Sequence, residues 1–190
     1  MVAGYLLTVT ARDSGTPSLS DTTDVEITVS DVNDNAPEFR KPSYMGSVPE
    51  DALVGSSVVQ VSAVDADMGL NGRIRYALGT ENSGDGSFVV DPTSGIIRTA
   101  KILDRESVGV YDLIVYAIDR GSPSLSGSVE VKVRVEDVND SPPVFDSDKI
   151  VMYIAENSPV GSTVGEIHAR DPDEGMNAVV QYSIIGESYY

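Results

Sequence analysis

The chain has 190 residues and a formal net charge of −17 with a pI near 4.1. That excludes the basic face nucleic-acid phosphates require and points to cations as partners. It has no cysteine, so neither a disulfide framework nor a thiolate metal site is available, and no apolar run reaches the roughly 18–20 residues needed to cross a bilayer.

In chain order, the first predicted strand is Tyr5-Leu6-Leu7-Thr8-Val9-Thr10, followed by the turn-forming Gly15-Thr16-Pro17-Ser18 and a second strand over Val25–Val29. An acidic stretch follows, Asp31-Val32-Asn33-Asp34-Asn35, then Pro49-Glu50-Asp51 and a strand at Val58–Val61. Asp65-Ala66-Asp67 precedes the turn Leu70-Asn71-Gly72-Arg73, and Pro92-Thr93-Ser94-Gly95 is turn chemistry again. Leu103-Asp104-Arg105-Glu106 follows, where strand alternation is expected to bring Asp104 and Glu106 to one side. Strands are predicted over Tyr111–Ile118, ending at Asp119, and over Val129–Val135, where four valines alternate with Glu130, Lys132 and Arg134. No segment sustains a helical period. Short strands separated by Gly/Pro/Asn/Asp/Ser clusters predict an all-β fold, a Greek-key β-sandwich.

The sequence repeats. Asp31-Val32-Asn33-Asp34 returns as Asp137-Val138-Asn139-Asp140, an offset of 106 residues. At the same offset Gly15-Thr16-Pro17-Ser18-Leu19-Ser20 returns as Gly121-Ser122-Pro123-Ser124-Leu125-Ser126, Glu50 as Glu156, Asp65-x-Asp67 as Asp171-x-Asp173, and Asn71 as Asn177. One complete unit is therefore expected at residues 37–142, preceded at 1–36 by the C-terminal part of another and followed at 143–190 by the N-terminal part of a third. Each end piece is expected to lack partner strands for its core.

The acids fall in short clusters at predicted strand ends. Crowded carboxylates repel unless a cation lies among them, and Ca²⁺ takes six to eight oxygen ligands from carboxylates, amides and carbonyls. An EF-hand reading of Asp31-x-Asn33-x-Asn35 fails, because Ala36 stands where that loop needs glycine and Pro42 where it needs glutamate. Ligands must come from several loops.

The ordered set Pro49-Glu50, Asp65-x-Asp67, Leu103-Asp104-Arg105-Glu106, Asp119-x-Gly121-x-Pro123 and Asp137-Val138-Asn139-Asp140-Ser141-Pro142 closely resembles the cadherin repeat. The strings Ser43-Tyr44-Met45-Gly46-Ser47-Val48-Pro49-Glu50-Asp51, Gly84 to Val90 and Asp171 to Ala178 resemble its Flamingo (Celsr) branch. The resemblance implies tandem sandwiches joined by Ca²⁺-binding linkers. At the second junction it implies ligands from Glu50, Asp104, Glu106, Asp137, Val138, Asn139, Asp140, Ser141, Asp171, Asp173 and Asn177. At the first it implies Asp31, Val32, Asn33, Asp34, Asn35, Asp65, Asp67, Asn71 and Asp119. Val32, Asn35, Asn71, Val138, Ser141 and Asn177 contribute backbone carbonyls. The first junction lacks the glutamate and Asp-x-Glu of a preceding repeat, so weaker occupancy is expected there, with Asp13 and Glu156 unliganded. The resemblance further implies the extracellular side of a cell membrane, attachment through regions outside this sequence, and Ca²⁺-dependent, homophilic or heterophilic contact with other cadherin ectodomains in planar cell polarity. A passive rigid spacer is the alternative.

An enzyme is not expected. Carboxylate pairs such as Asp104 and Glu106 would have to flank a substrate cleft, and the serines have no partner base. The sole histidine, His168, is expected on a strand face. Asn139-Asp140-Ser141 fits a glycosylation sequon, but the ligand role implied for Asn139 leaves it unmodified.

Overall fold

The computed structural model describes residues 4–80 and 83–186 of the chain. Residues 1–3 and 187–190, the extremes of the first and third expected units, lie outside the described residues.

Strands form where β-branched and aromatic residues alternate with polar ones. The first two, β1 (Gly4–Arg12) and β2 (Ser20–Thr28), make an antiparallel hairpin running from Gly4↔Thr28 to Arg12↔Ser20. No further strand pairs with it among the described residues, and apart from half-buried Gly4 both strands are exposed throughout.

The complete sandwich follows. Its strands are β3 (Glu38–Phe39), β4 (Ser43–Pro49), β5 (Ser57–Gln60), β6 (Ala63–Val64), β7 (Arg75–Leu78), β8 (Phe88–Val90), β9 (Ile96–Thr99), β10 (Val110–Ile118) and β11 (Ser126–Glu136). One sheet has the order β4-β11-β10-β7, in which β4 runs parallel to β11; the other has the order β5-β9-β8, and β3 pairs with β6. Strand β11 shows the pattern most clearly: Val129, Val131, Val133 and Val135 are buried and the residues between them are not. Their core partners include Leu113, Val115 and Ala117 of β10, Ile97 of β9, Phe88 of β8 and Tyr76 of β7. Gly46 lets β4 approach β5, since a Cβ there would lie 3.0 Å from Val58 and Val59 side-chain atoms.

Two tyrosines fix the chain leading to the Asp65 cluster. The Tyr44 hydroxyl donates to the Ser62 carbonyl at 3.0 Å and accepts the Ser62 N–H at 3.1 Å; the Tyr76 hydroxyl accepts the Ala63 N–H at 2.9 Å. Both rings pack on Phe39.

In the third region, β12 (Val144–Phe145) pairs with β13 (Ala169–Arg170), and the Tyr182 hydroxyl accepts the Ala169 N–H at 2.9 Å. His168 lies just before β13 rather than within a strand; it is exposed, 3.7 Å from a Glu166 carboxylate oxygen.

Candidate metal centre

At the second joint three chain segments meet: residues 103–107 of the sandwich, the linker after β11, and the loop Asp171–Asn177. Glu50, at the end of β4, is 3% exposed, and its carboxylate accepts two backbone N–H groups at 2.8 Å, from Arg105 and from Val138. One side chain thus ties the Asp104–Glu106 loop to the linker. Segment 103–107 is not the strand expected from sequence, and its residues 105–107 form a turn. Asp104 shapes it by accepting the Ser107 N–H at 3.1 Å and the Ser107 hydroxyl at 2.8 Å. Turn geometry, not strand alternation, brings Asp104 and Glu106 together.

Carboxylate oxygens of Glu50, Asp104 and Glu106 lie within 4.8 Å of one another, as do those of Glu106, Asp137 and Asp173. Glu106 belongs to both triads, and Asp173 brings the loop Asp171–Asn177 into the second. Asp173 is 7% exposed, and neither of its carboxylate oxygens has a hydrogen-bond partner among the described residues. Burial pushes its carboxyl above the usual range, and the neighbouring Asp171 charge adds to the rise. Glu106 is raised by burial and by Glu50. Asp104 is lowered by the Ser107 hydroxyl and N–H. Burial works to raise Asp137, but the Glu174 N–H, the Asn177 amide and Arg105 outweigh it and hold Asp137 low.

Buried, unpartnered carboxylate oxygens are costly in a dry site unless a cation satisfies them. The donors are oxygen only, with no thiolate or imidazole among them, which suits a hard divalent ion such as Ca²⁺. The residues present therefore fit the ion.

The first joint reproduces the loop geometry at the 106-residue offset. The Asn71 amide donates to Asp31 at 2.9 Å, as Asn177 does to Asp137 at 2.9 Å; the Asp67 N–H donates to Asp65 at 2.9 Å, as Asp173 does to Asp171 at 3.0 Å. Asn33 bridges to the sandwich, donating to Asp119 at 3.1 Å and to the Pro123 carbonyl at 2.7 Å. Asp119 is 3% exposed and accepts the Gly121 and Leu125 N–H groups at 3.0 Å. Asn35 donates its N–H to Asp67 at 3.0 Å and its amide to Asp34 at 2.7 Å and to Asp67. The Asp67 carboxyl is lowered chiefly by the Asn35 amide. Asn33 Oδ1 and Asp65 Oδ2 are buried without a hydrogen-bond partner among the described residues. Both carboxylate triads among the described residues lie at the second joint.

Other expected ligands lie outside the two triads. Asp140 belongs to neither triad; it is exposed and accepts the Ser141 hydroxyl at 3.3 Å. Asn139 is exposed, the Val32 carbonyl accepts the Asp34 N–H at 3.0 Å, and Val138 enters through its N–H to Glu50. Asp13 accepts the Gly15 and Leu19 N–H groups at 3.0 and 2.9 Å, and Glu156 is exposed. Sequence reasoning missed Arg105, whose guanidinium lies among the acids against Glu106 and Asp137. Its place between two ligand candidates in Asp104-Arg105-Glu106 was the available signal.

A family model for the cadherin domain matches residues 44–136. The chain is 70% identical over 184 residues to the protocadherin-like wing polarity protein stan of Drosophila melanogaster, covering 97% of this chain and 5% of that protein. It is 54% identical over 184 residues to cadherin EGF LAG seven-pass G-type receptor 1 of Mus musculus, covering 96% of this chain and 6% of that protein. Mouse cadherin-23 repeats EC22-24 superpose with a TM-score of 0.86 at 38% identity, covering 93% of this chain and 56% of that one. Protocadherin gamma B2 domains 1-5 give a TM-score of 0.78 at 34% identity, covering 93% and 34%. Cadherin repeats as a class bind Ca²⁺. Among the described residues no helix is long and apolar enough to cross a membrane. An all-β sandwich, the cadherin-domain match and the identity to stan and to the Celsr receptor place the chain in the cadherin family, within the Flamingo (Celsr) branch.

Proposed function

We propose that this chain is a Ca²⁺-rigidified segment of a cadherin ectodomain that works in cell–cell adhesion linked to planar cell polarity. In this reading residues 37–142 are one complete repeat, 1–36 end the repeat before it and 143–190 begin the repeat after it. The observation that carries the reading is the buried Asp173 carboxylate, unpartnered among the described residues and within 4.8 Å of Glu106 and Asp137. Glu50, Asp104, Glu106, Asp137, Asp171 and Asp173 are the carboxylates that hold Ca²⁺ at the second joint, with Asn139, Asp140 and the Val138, Ser141 and Asn177 carbonyls completing the set. Asp31, Asn33, Asp34, Asp65, Asp67 and Asp119 do so at the first, with the Val32, Asn35 and Asn71 carbonyls.

Bound Ca²⁺ supplies the positive charge that cancels repulsion between carboxylates of successive repeats. The protein's part is to hold those oxygens in place: Glu50 and Asn177 fix the linker and the following loop, and Asn33 and Asn35 do so at the first joint. A straightened joint presents a rod to other cadherin ectodomains, in homophilic or heterophilic contact, on the extracellular side of the cell membrane. Tethering to the bilayer falls to other parts of such a protein.

Calorimetry and thermal melts with millimolar Ca²⁺ and with chelator test the reading. Each saturated site adds about 2.7 kcal/mol at a hundredfold excess over Kd, so melting must rise with Ca²⁺; an unchanged melt rejects the proposal. Bead aggregation then separates adhesion from spacing: aggregation in Ca²⁺ supports an adhesive face, and Ca²⁺ uptake without aggregation assigns the segment to a rigid spacer.

A further inference from the structure

Strand β6 is two residues long, Ala63–Val64, and leads straight into Asp65 and Asp67. A ladder that short cannot fix its own position. The Arg40 N–H donates to the Ser62 carbonyl at 2.9 Å, one residue beyond the Phe39↔Ala63 pair. That pair is therefore of the kind that exchanges no backbone bonds, and the Ala63 N–H faces away from β3. The Tyr76 hydroxyl accepts it at 2.9 Å, from a residue that is 8% exposed and whose ring packs on Phe39 at 6.3 Å. Tyr44 adds a second hold, since its hydroxyl donates to the Ser62 carbonyl and accepts the Ser62 N–H. Two hydroxyls of the core thus hold the chain just ahead of Asp65.

The third region repeats the first of these contacts. At the 106-residue offset the Tyr182 hydroxyl accepts the Ala169 N–H at 2.9 Å, Phe145 lies 6.2 Å from the Tyr182 ring, and Arg170 leads into Asp171. The bond persists there although Tyr182 is exposed. The second contact is not repeated. Ile150 and His168 stand where Tyr44 and Ser62 do, and the Asp146 N–H lies 3.5 Å from the His168 carbonyl. Both Asp-x-Asp segments are entered past the same tyrosine bond, and the central sandwich adds one more.

We propose that Tyr76 is a positioning residue of the first joint, whose hydroxyl sets the entry of Asp65 and Asp67 from inside the sandwich, with Tyr44 as its brace. The two hydroxyls act through the backbone. Fixing Ser62 and Ala63 reduces the freedom that Asp65 and Asp67 give up when a cation orders them. Asp65 Oδ2 is buried without a hydrogen-bond partner among the described residues, so its placement bears directly on any cation it receives. The inference rests on the reading above that these acids hold Ca²⁺.

A Ca²⁺ titration of the isotopically labelled chain, followed by nuclear magnetic resonance, reads the joints separately through the Asp67 amide at the first and the Asp173 amide at the second. Tyr76→Phe keeps the ring and removes only the hydroxyl. It is expected to raise the Asp67 midpoint by about threefold to tenfold, the worth of one neutral hydrogen bond, and to leave the Asp173 midpoint unchanged. Tyr44→Phe is expected to move the Asp67 midpoint in the same direction. A variant that merely loosens the core lowers the melting temperature in chelator and shifts neither midpoint, or both alike; either pattern for Tyr76→Phe overturns the proposal. Hydrogen exchange in chelator gives a readout without metal: the Arg40 amide, bonded to Ser62, is expected to exchange faster in Tyr76→Phe, and an equal rate overturns the proposal. A parent chain that takes up no Ca²⁺ at either joint sinks the calcium reading; faster Arg40 exchange in the variant then still supports Tyr76 as the residue that sets this strand, and an equal rate removes it.

Discussion

Glu50 and Val138 are 88 residues apart in sequence, yet the Glu50 carboxylate accepts the Val138 N–H at 2.8 Å. The same carboxylate holds the Arg105 N–H, so the entrance strand, the acidic loop and the exit linker share one acceptor. Removing it strands two donors in a site where Glu50 is 3% exposed. Glu50→Ala is expected to destabilise the metal-free protein by about 2–4 kcal/mol, and Glu50→Gln, which keeps one acceptor oxygen, by about 1 kcal/mol. Urea unfolding in chelator measures both. Equal losses would show that the second acceptor oxygen does not matter.

Asp173 should act with opposite signs in the two metal conditions. Burial raises its carboxyl, so the charged form is unwelcome in the metal-free fold. Asp173→Asn is expected to leave stability in chelator equal or higher, and to lower Ca²⁺ affinity by at least about tenfold. Calorimetry and paired melts check both halves; a loss of stability in chelator contradicts the burial argument.

The sandwich core sets a separate scale. Leu113 is 1% exposed between the sheets, whereas Leu7 on the β1–β2 hairpin is 47% exposed. Leu113→Ala is expected to cost about 2–5 kcal/mol, and Leu7→Ala to stay within about 0.5 kcal/mol. Denaturant midpoints compare them at either calcium level.

Asp91 gives a pH signature away from the joints. Its carboxylate accepts the Ser94 N–H at 2.7 Å, the Ser94 hydroxyl at 2.9 Å and the Thr93 N–H at 3.0 Å, closing the turn from β8 to β9. These bonds, led by the Ser94 N–H, hold its carboxyl below the usual carboxylate range. A depressed folded-state value adds stability above that range, lost as pH falls through the lowered value. The stability gap between parent and Asp91→Ala is therefore expected to be full at neutral pH and smaller in acid below the usual carboxylate range. Denaturation series at the two pH values measure it, and a gap that grows in acid contradicts the assignment.

Strong periodicity made part of this architecture readable in advance. Val129–Val135 and Tyr111–Ile118 fall within β11 and β10, where alternation marks a face. Strand β4 was not legible, because Gly46 and Pro49 interrupt its pattern and its parallel partner lies 87 residues away in sequence. The two- to four-residue strands β3, β6, β7, β8 and β9 carry too few alternations to stand out; their places are set by packing, as at Ile97 and Phe88. In the site, spacing and resemblance picked out the acids, while Arg105 stayed hidden because its contacts depend on how the chain folds back at the linker.

Strand β4, near the entrance of the sandwich, runs parallel to β11, which leads to its exit, with Ser43 beside Glu130 and Pro49 beside Glu136. Tension drawn along the chain pulls these two neighbours in opposing directions, so their ladder is loaded in shear. Its bonds must yield together instead of peeling one at a time. The pairing makes the sandwich a link suited to carrying mechanical load along the chain.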